Sequence, residues 1–203
     1  MNPPLDLLDV ALGLADLLDE LRVEYAFGGA IAQNYWGTVR ATDDVDILVA
    51  LPRIRFQEVE RRLNETGFTM IDPQGRPKPI SVESMVAQER ERHLFVVYKD
   101  LVKVEVFLPF LQLQHSILRR AVKLTLGNRA VPISTAEDII LLKMAFHREK
   151  DLLDVRGILW NQGGKLDLAY LREWAQKTLA DERIAELETW IERYRAARRD
   201  PSR

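Results

Sequence analysis

Apolar residues recur at Leu5, Leu8, Leu12, Ala15 and Leu18, the spacing of one helix face, and Asn2 with Pro3 and Pro4 offers a cap and a first turn. The pattern then shortens. "RVEYAF" is a strand ended by Gly28-Gly29, "AIAQNYWG" a short helix closed by Gly37, and "VDILVAL" a second strand stopped by Pro52. "RFQEVERRLNETG" predicts an amphipathic helix with a glycine at its C-terminal end. From Asp72 to Arg92 the periodicity fades, and "DPQGRPKPIS", rich in proline, predicts a loop. "LFVVY" and "VKVEVFL" are strands on either side of "KDL", a hairpin, and "AVPI" is a last short strand. After Ser134 only helical patterns remain. "STAEDIILLKMAFHREKDLLDVRGILW" makes one helix or two, followed by "LDLAYLREWAQKTL" and "ERIAELETWIERYRAARR". The expected organisation is a mixed α/β lobe over 1–133 and a helical lobe over 134–203.

One strand conflicts with its own setting. Asp44 and Asp46 stand two apart and share a strand face, while Val45, Ile47 and Val49 point the other way. Carboxylates in a strand that reads as core need a partner. Two neighbouring carboxylates repel unless a cation lies between them, and oxygen ligands favour hard cations such as Mg²⁺. In "VKVEVFL", Lys103, Glu105 and Phe107 share one face, so Glu105 offers a third carboxylate; beside Lys103 it also fits an exposed edge of mixed charge. Gly28-Gly29 at a helix start presents backbone N–H groups suited to a phosphate. The spacing matches neither a dinucleotide fingerprint nor a Walker loop.

Composition narrows the classes. The chain has 203 residues, 47% of them hydrophobic, enough for a sizeable core. A net charge of −2 gives no overall basic character to attract nucleic acid. No cysteine is present, which excludes disulfides, thiolate metal sites and a cysteine nucleophile. The N-terminal stretch resembles neither a signal peptide nor a membrane span, so a soluble cytoplasmic protein with no membrane partner is expected. His93, His115 and His147 form no visible zinc motif. Trp160, Trp174 and Trp190 are expected in the core, and the arginine-rich C-terminus as a solvated helix face.

Taken together, Gly28-Gly29, Asp44-Val45-Asp46 and Glu105 resemble the nucleotidyltransferase superfamily built on the DNA polymerase β palm. "RATDDVDILV" looks like the R-x-T-x-D-h-D pattern of its AbiEii-like branch, which includes toxins of toxin–antitoxin and phage-defence systems. "KMAFHREKDLLDV" is similar to a helical segment of that branch, through Lys143, Ala145, Arg148, Lys150, Asp151 and Asp154. Where the superfamily more often has aspartate as third acid, this chain has Glu105. The resemblance implies an α+β fold, a small mixed sheet flanked by helices and followed by a helical lobe. It implies Mg²⁺-dependent transfer of an NMP from an NTP, with two ions during catalysis. Asp44, Asp46 and Glu105 would be the metal-binding and catalytic acids. Gly28, Gly29 and Lys143 would hold phosphates, and Asp151 would orient basic groups or the acceptor. Arg40 either helps with phosphate or pairs with a nearby acid. The acceptor is left open between an RNA 3′ end, a small molecule and a protein hydroxyl, and an antitoxin protein is an expected partner class.

Two rivals stand beside this reading. One keeps the fold as a nucleotide- or partner-binding module without turnover. The other makes the acids a structural salt-bridge network with Arg40 and Lys103. A continuous helix from Ala136 to Val155 would place Lys143, His147, Lys150 and Asp154 on one polar stripe.

Overall fold

The computed structural model describes residues 6–199. The expected cap at Asn2, with Pro3 and Pro4, lies outside them. The first helix, α1, is Leu7–Glu20, capped by Asp6, whose carboxylate accepts the Asp9 N–H at 2.8 Å. It buries Val10, Ala11, Leu14, Ala15, Leu17 and Leu18. Strand β1 (Tyr25–Phe27) leads into α2 (Gly29–Trp36), and β2 is Asp44–Val49. A 3-10 turn, Arg53–Arg55, precedes α3, Phe56–Glu65.

The stretch predicted as a loop is more ordered than its composition suggests. Two-residue strands β3 (Met70–Ile71) and β4 (Pro77–Lys78) form a hairpin. The Asp72 carboxylate closes the turn by accepting the Gln74 and Arg76 N–H groups at 2.9 and 2.8 Å, with Gly75 at φ 80°. Helix α4, Val82–Arg92, follows, capped by Ser81. Met85 is its one fully buried residue, so no apolar stripe announced it.

Strands β5 (Leu94–Lys99) and β6 (Val102–Phe107) form the expected hairpin. Helix α5, Gln112–Arg120, and strand β7, Val122–Leu126, were not anticipated. The latter pairs antiparallel with β8, Arg129–Ile133, which contains the expected "AVPI". Six strands make one mixed sheet in the order β5-β6-β2-β1-β8-β7. The β2–β6 and β1–β8 pairs are parallel and the rest antiparallel. Phe27, Ile47, Val49, Phe95, Val97, Val104 and Ile133 are each 1% exposed or less, which sets the core along the sheet.

The long C-terminal pattern is two helices, not one. Helix α6, Ala136–Phe146, ends at His147, which adopts the left-handed conformation at φ 58°. Helix α7, Glu149–Gln162, begins anew. The single polar stripe expected of a continuous helix therefore does not exist. Helices α8 (Leu168–Thr178) and α9 (Asp181–Arg199) complete the fold. Trp190 is 7% exposed, as expected of a core residue, whereas Trp160 is 57% exposed. No helix among the described residues is long and apolar enough to cross a membrane.

The chain forms two compact units. One holds the described residues through Ala30 together with Ala41–Ile133; the other holds Ile31–Arg40 and the described residues from Ser134 onward. A single cut after residue 133 does not contain this detour: most of α2 and the turn after it belong with the C-terminal helices.

Candidate active site

The parallel pairing of β2 and β6 places Asp46 directly beside Glu105, and Asp44 directly beside Lys103. Partners in a parallel register project to the same side, so all four side chains share one face of the sheet. On the opposite face Val45 and Ile47 are fully buried. This is why the sequence looked like core yet carried acids: one face packs and the other remains half-exposed.

On the acidic face each group has a neighbour. Asp44 Oδ1 accepts the Thr42 hydroxyl at 2.7 Å. Lys103 Nζ forms an ion pair with Glu105 Oε1, with side-chain exposures of 36% and 24%. The Asp46 carboxyl is pushed up to about 6, first by burial, then by the charges of Asp44 and Glu105, and also by a hydrogen bond to Glu105. Lys103 is raised, first by its hydrogen bond to Glu105 and then by the Glu105 and Asp44 charges, against the opposing effect of burial.

The glycines reach the same spot. The Gly28 N–H donates to the Asp46 carbonyl at 2.9 Å. Gly29 opens α2 with φ 47°, and a Cβ there would lie 2.7 Å from the Asp46 Cβ and collide with the carboxylate. Only glycine combines that backbone with so close an approach. The first unit therefore brings together Gly28, Gly29, Asp44, Asp46 and Glu105. The register assigns Lys103 to the cluster itself, where the sequence had allowed an exposed edge. Thr42 stood in the R-x-T-x-D-h-D match without a role of its own; the structure gives it one, as the hydroxyl that donates to Asp44. Among the described residues no group of three or more His, Cys, Asp or Glu side chains is already arranged to hold a metal ion.

The second unit gathers Arg40, Lys143 and Asp151 around Asp154. Lys143 Nζ lies 2.5 Å from Asp154 Oδ2 and 3.5 Å from Asp151 Oδ1. Arg40 Nε lies 3.5 Å from Asp154 Oδ1, with 39% of its side chain exposed. The Asn34 side-chain amide braces Arg40, donating to its carbonyl and accepting its N–H, both at 2.9 Å. Arg148 Nε donates to Asp151 Oδ2 at 2.6 Å. For Asp151, burial pushes the pKa up, but the Arg148 hydrogen bonds and the Lys143 charge outweigh it, and the net shift is downward. Gln33, fully buried, donates from its amide to the Asp154 carbonyl at 3.4 Å. Lys143 and Asp154 meet because the chain reverses at His147, not because they share a helix face. His147 Nε2 lies 2.8 Å from Glu186 Oε2.

No protein-family model and no curated protein matches the chain. Solved structures do. An antigenic nucleotidyltransferase-like protein from Paracoccidioides brasiliensis superposes with a TM-score of 0.51 at 17% identity, covering 91% of each chain. ANT(2″)-Ia, solved in complex with adenylyl-2″-tobramycin, superposes with a TM-score of 0.54 at 14% identity, covering 84% of this chain and 97% of the other. At these identities the likeness establishes the fold: an α+β chain with the sheet and helices of nucleotidyltransferase-like structures.

Proposed function

We propose that the protein is a divalent-cation-dependent nucleotidyltransferase that moves a nucleoside monophosphate from an NTP to an acceptor hydroxyl. One observation carries the reading. Asp46 stands beside Glu105 and two residues from Asp44 on one sheet face, with the Gly28-Gly29 backbone packed against it. The donor set is all oxygen, which suits Mg²⁺. The burial and repulsion that raise Asp46 are what a bound cation relieves. Magnesium held by Asp44 and Asp46 would neutralise triphosphate charge and polarise the attacked phosphorus.

The chain's own groups do the rest. The acceptor oxygen bonds to the α-phosphorus, the bond from that phosphorus to the bridging oxygen breaks, and pyrophosphate leaves. Glu105, aligned by Lys103, takes the acceptor proton. The Gly28 N–H is committed to Asp46, so the first-turn amides of α2 receive phosphate oxygens. Within the second unit Arg40 keeps exposed charge beside Asp154, and Lys143 and Asp151 act through Asp154 as positioning residues.

The adenylyl-2″-tobramycin complex of ANT(2″)-Ia makes a hydroxyl on a small polar molecule the first acceptor class to test, with an RNA 3′ end and a protein hydroxyl next. A toxin–antitoxin or defence role and an antitoxin partner rest on the sequence resemblance, and a cytoplasmic location on the character of the N-terminal stretch. The Lys103–Glu105 ion pair favours a second reading, the same fold binding nucleotide without turnover. Incubation with α-labelled NTPs, Mg²⁺, an aminoglycoside panel and total RNA separates the two. Label transfer with pyrophosphate release, abolished in Asp44→Asn and Glu105→Gln, is expected. Nucleotide binding with no label transferred to any acceptor would leave the binding module.

A further inference from the structure

The acidic face already contains a cation that belongs to the chain. Lys103 lies directly beside Asp44 in the strand register, and its ammonium is bound to Glu105. It therefore spans the row between the outer aspartate and the third acid. Tyr98 flanks it on β5, in the next strand position across the sheet. A lysine ammonium is a compact point charge on a flexible stem. Held against a carboxylate, it cancels the charge that would otherwise draw in a second ion, and it obstructs the Glu105 oxygen that such an ion would need.

We propose that Lys103 is a resident counter-ion that takes the place of one metal, so that the site binds a single divalent cation with the nucleotide instead of two. This inference rests on the proposed nucleotidyltransferase reading and revises the two-ion expectation drawn from the resemblance. In it Lys103 is a positioning residue: its ammonium occupies the Glu105 oxygen that a second ion would need. Asp44 and Asp46 remain the cation ligands.

Equilibrium dialysis with Mn²⁺ and a non-hydrolysable NTP analogue reads this directly, as the ratio of bound Mn²⁺ to bound nucleotide and as the Mn²⁺ affinity without nucleotide. The wild type is expected at a ratio of about one. Lys103→Met is expected at about two, with Mn²⁺ alone held roughly tenfold more tightly, because three carboxylates then lack their internal cation. Lys103→Arg, which keeps the charge, should restore a ratio near one, an outcome that loss of local packing would not produce. A ratio of two in the wild type would overturn the inference, as would Lys103→Met with unchanged ratio and unchanged Mn²⁺ affinity while nucleotide still binds. Tighter Mn²⁺ binding in Lys103→Met with no nucleotide retained by either protein would support the counter-ion role and reject the nucleotidyltransferase reading.

Discussion

Asp46 is the residue in which the fold and the chemistry oppose each other. Its carboxyl is raised from an ordinary 3.8 to about 6 by burial and by its acidic neighbours. A carboxyl whose folded pKa is raised favours folding below its unfolded pKa, and that contribution is lost as pH climbs through the folded value. In the metal-free protein the ionised form should therefore cost about 2–3 kcal/mol above pH 6. Asp46→Asn is expected to be more stable than wild type in EDTA at pH 7.5, with the difference closing near pH 4. Chemical denaturation at the two pH values checks it, and an asparagine variant less stable at pH 7.5 would contradict it. The acids themselves were legible from the sequence, because an acid pair inside a valine-rich strand stands out. The reason for Gly29 was not. A glycine pair before a helix suggests a phosphate turn, and only the folded backbone shows that a side chain there would meet Asp46.

At the scale of elements, the turn at His147 changes what Lys143 does. The α6–turn–α7 reversal buries Lys143 to 8% exposure against Asp154 and Asp151, themselves 8% and 1% exposed. Removing one partner of a buried ion pair leaves an uncompensated charge. Lys143→Met is thus expected to destabilise the fold by about 3 kcal/mol, at the low end for buried pairs because Arg40 and Arg148 still face the two acids. Urea denaturation measures this, and a loss below about 0.5 kcal/mol, the level of an ordinary surface change, would refute the buried-pair account. Two helices were one of the alternatives the sequence allowed, but the position of the reversal was hidden because "AFHREK" has neither glycine nor proline, and histidine takes the left-handed cap. Helix α4 was hidden for a different reason: most of its side chains are polar, and Met85 alone is fully buried. The β5–β6 hairpin was plain, since strict alternation on β6 gives one face fully to the core.

For the whole molecule, the chain order of elements was readable and the spatial order was not. Strand β1 pairs with both β2 and β8, a parallel neighbour more than a hundred residues away, and no local pattern encodes that pairing. The assignment of Ile31–Arg40 to the C-terminal helices is likewise a tertiary outcome: the Trp36 indole donates to the Ser134 carbonyl at 2.7 Å and Arg40 joins Asp154. The candidate ligands are consequently divided, with the glycines and the three acids in one unit and Arg40, Lys143 and Asp151 in the other. The central claim is that the acids of the first unit form a cation-dependent nucleotide site. Thermal melting of wild type, Asp44→Asn and Asp46→Asn, each with Mg²⁺ alone, NTP alone and both, tests it most directly, since ligand that binds only the folded state raises the melting temperature. The account predicts a rise for wild type only when both are present, and no such rise in either variant. An equal rise in wild type and Asp46→Asn, or none in wild type with any of the four NTPs, would contradict it.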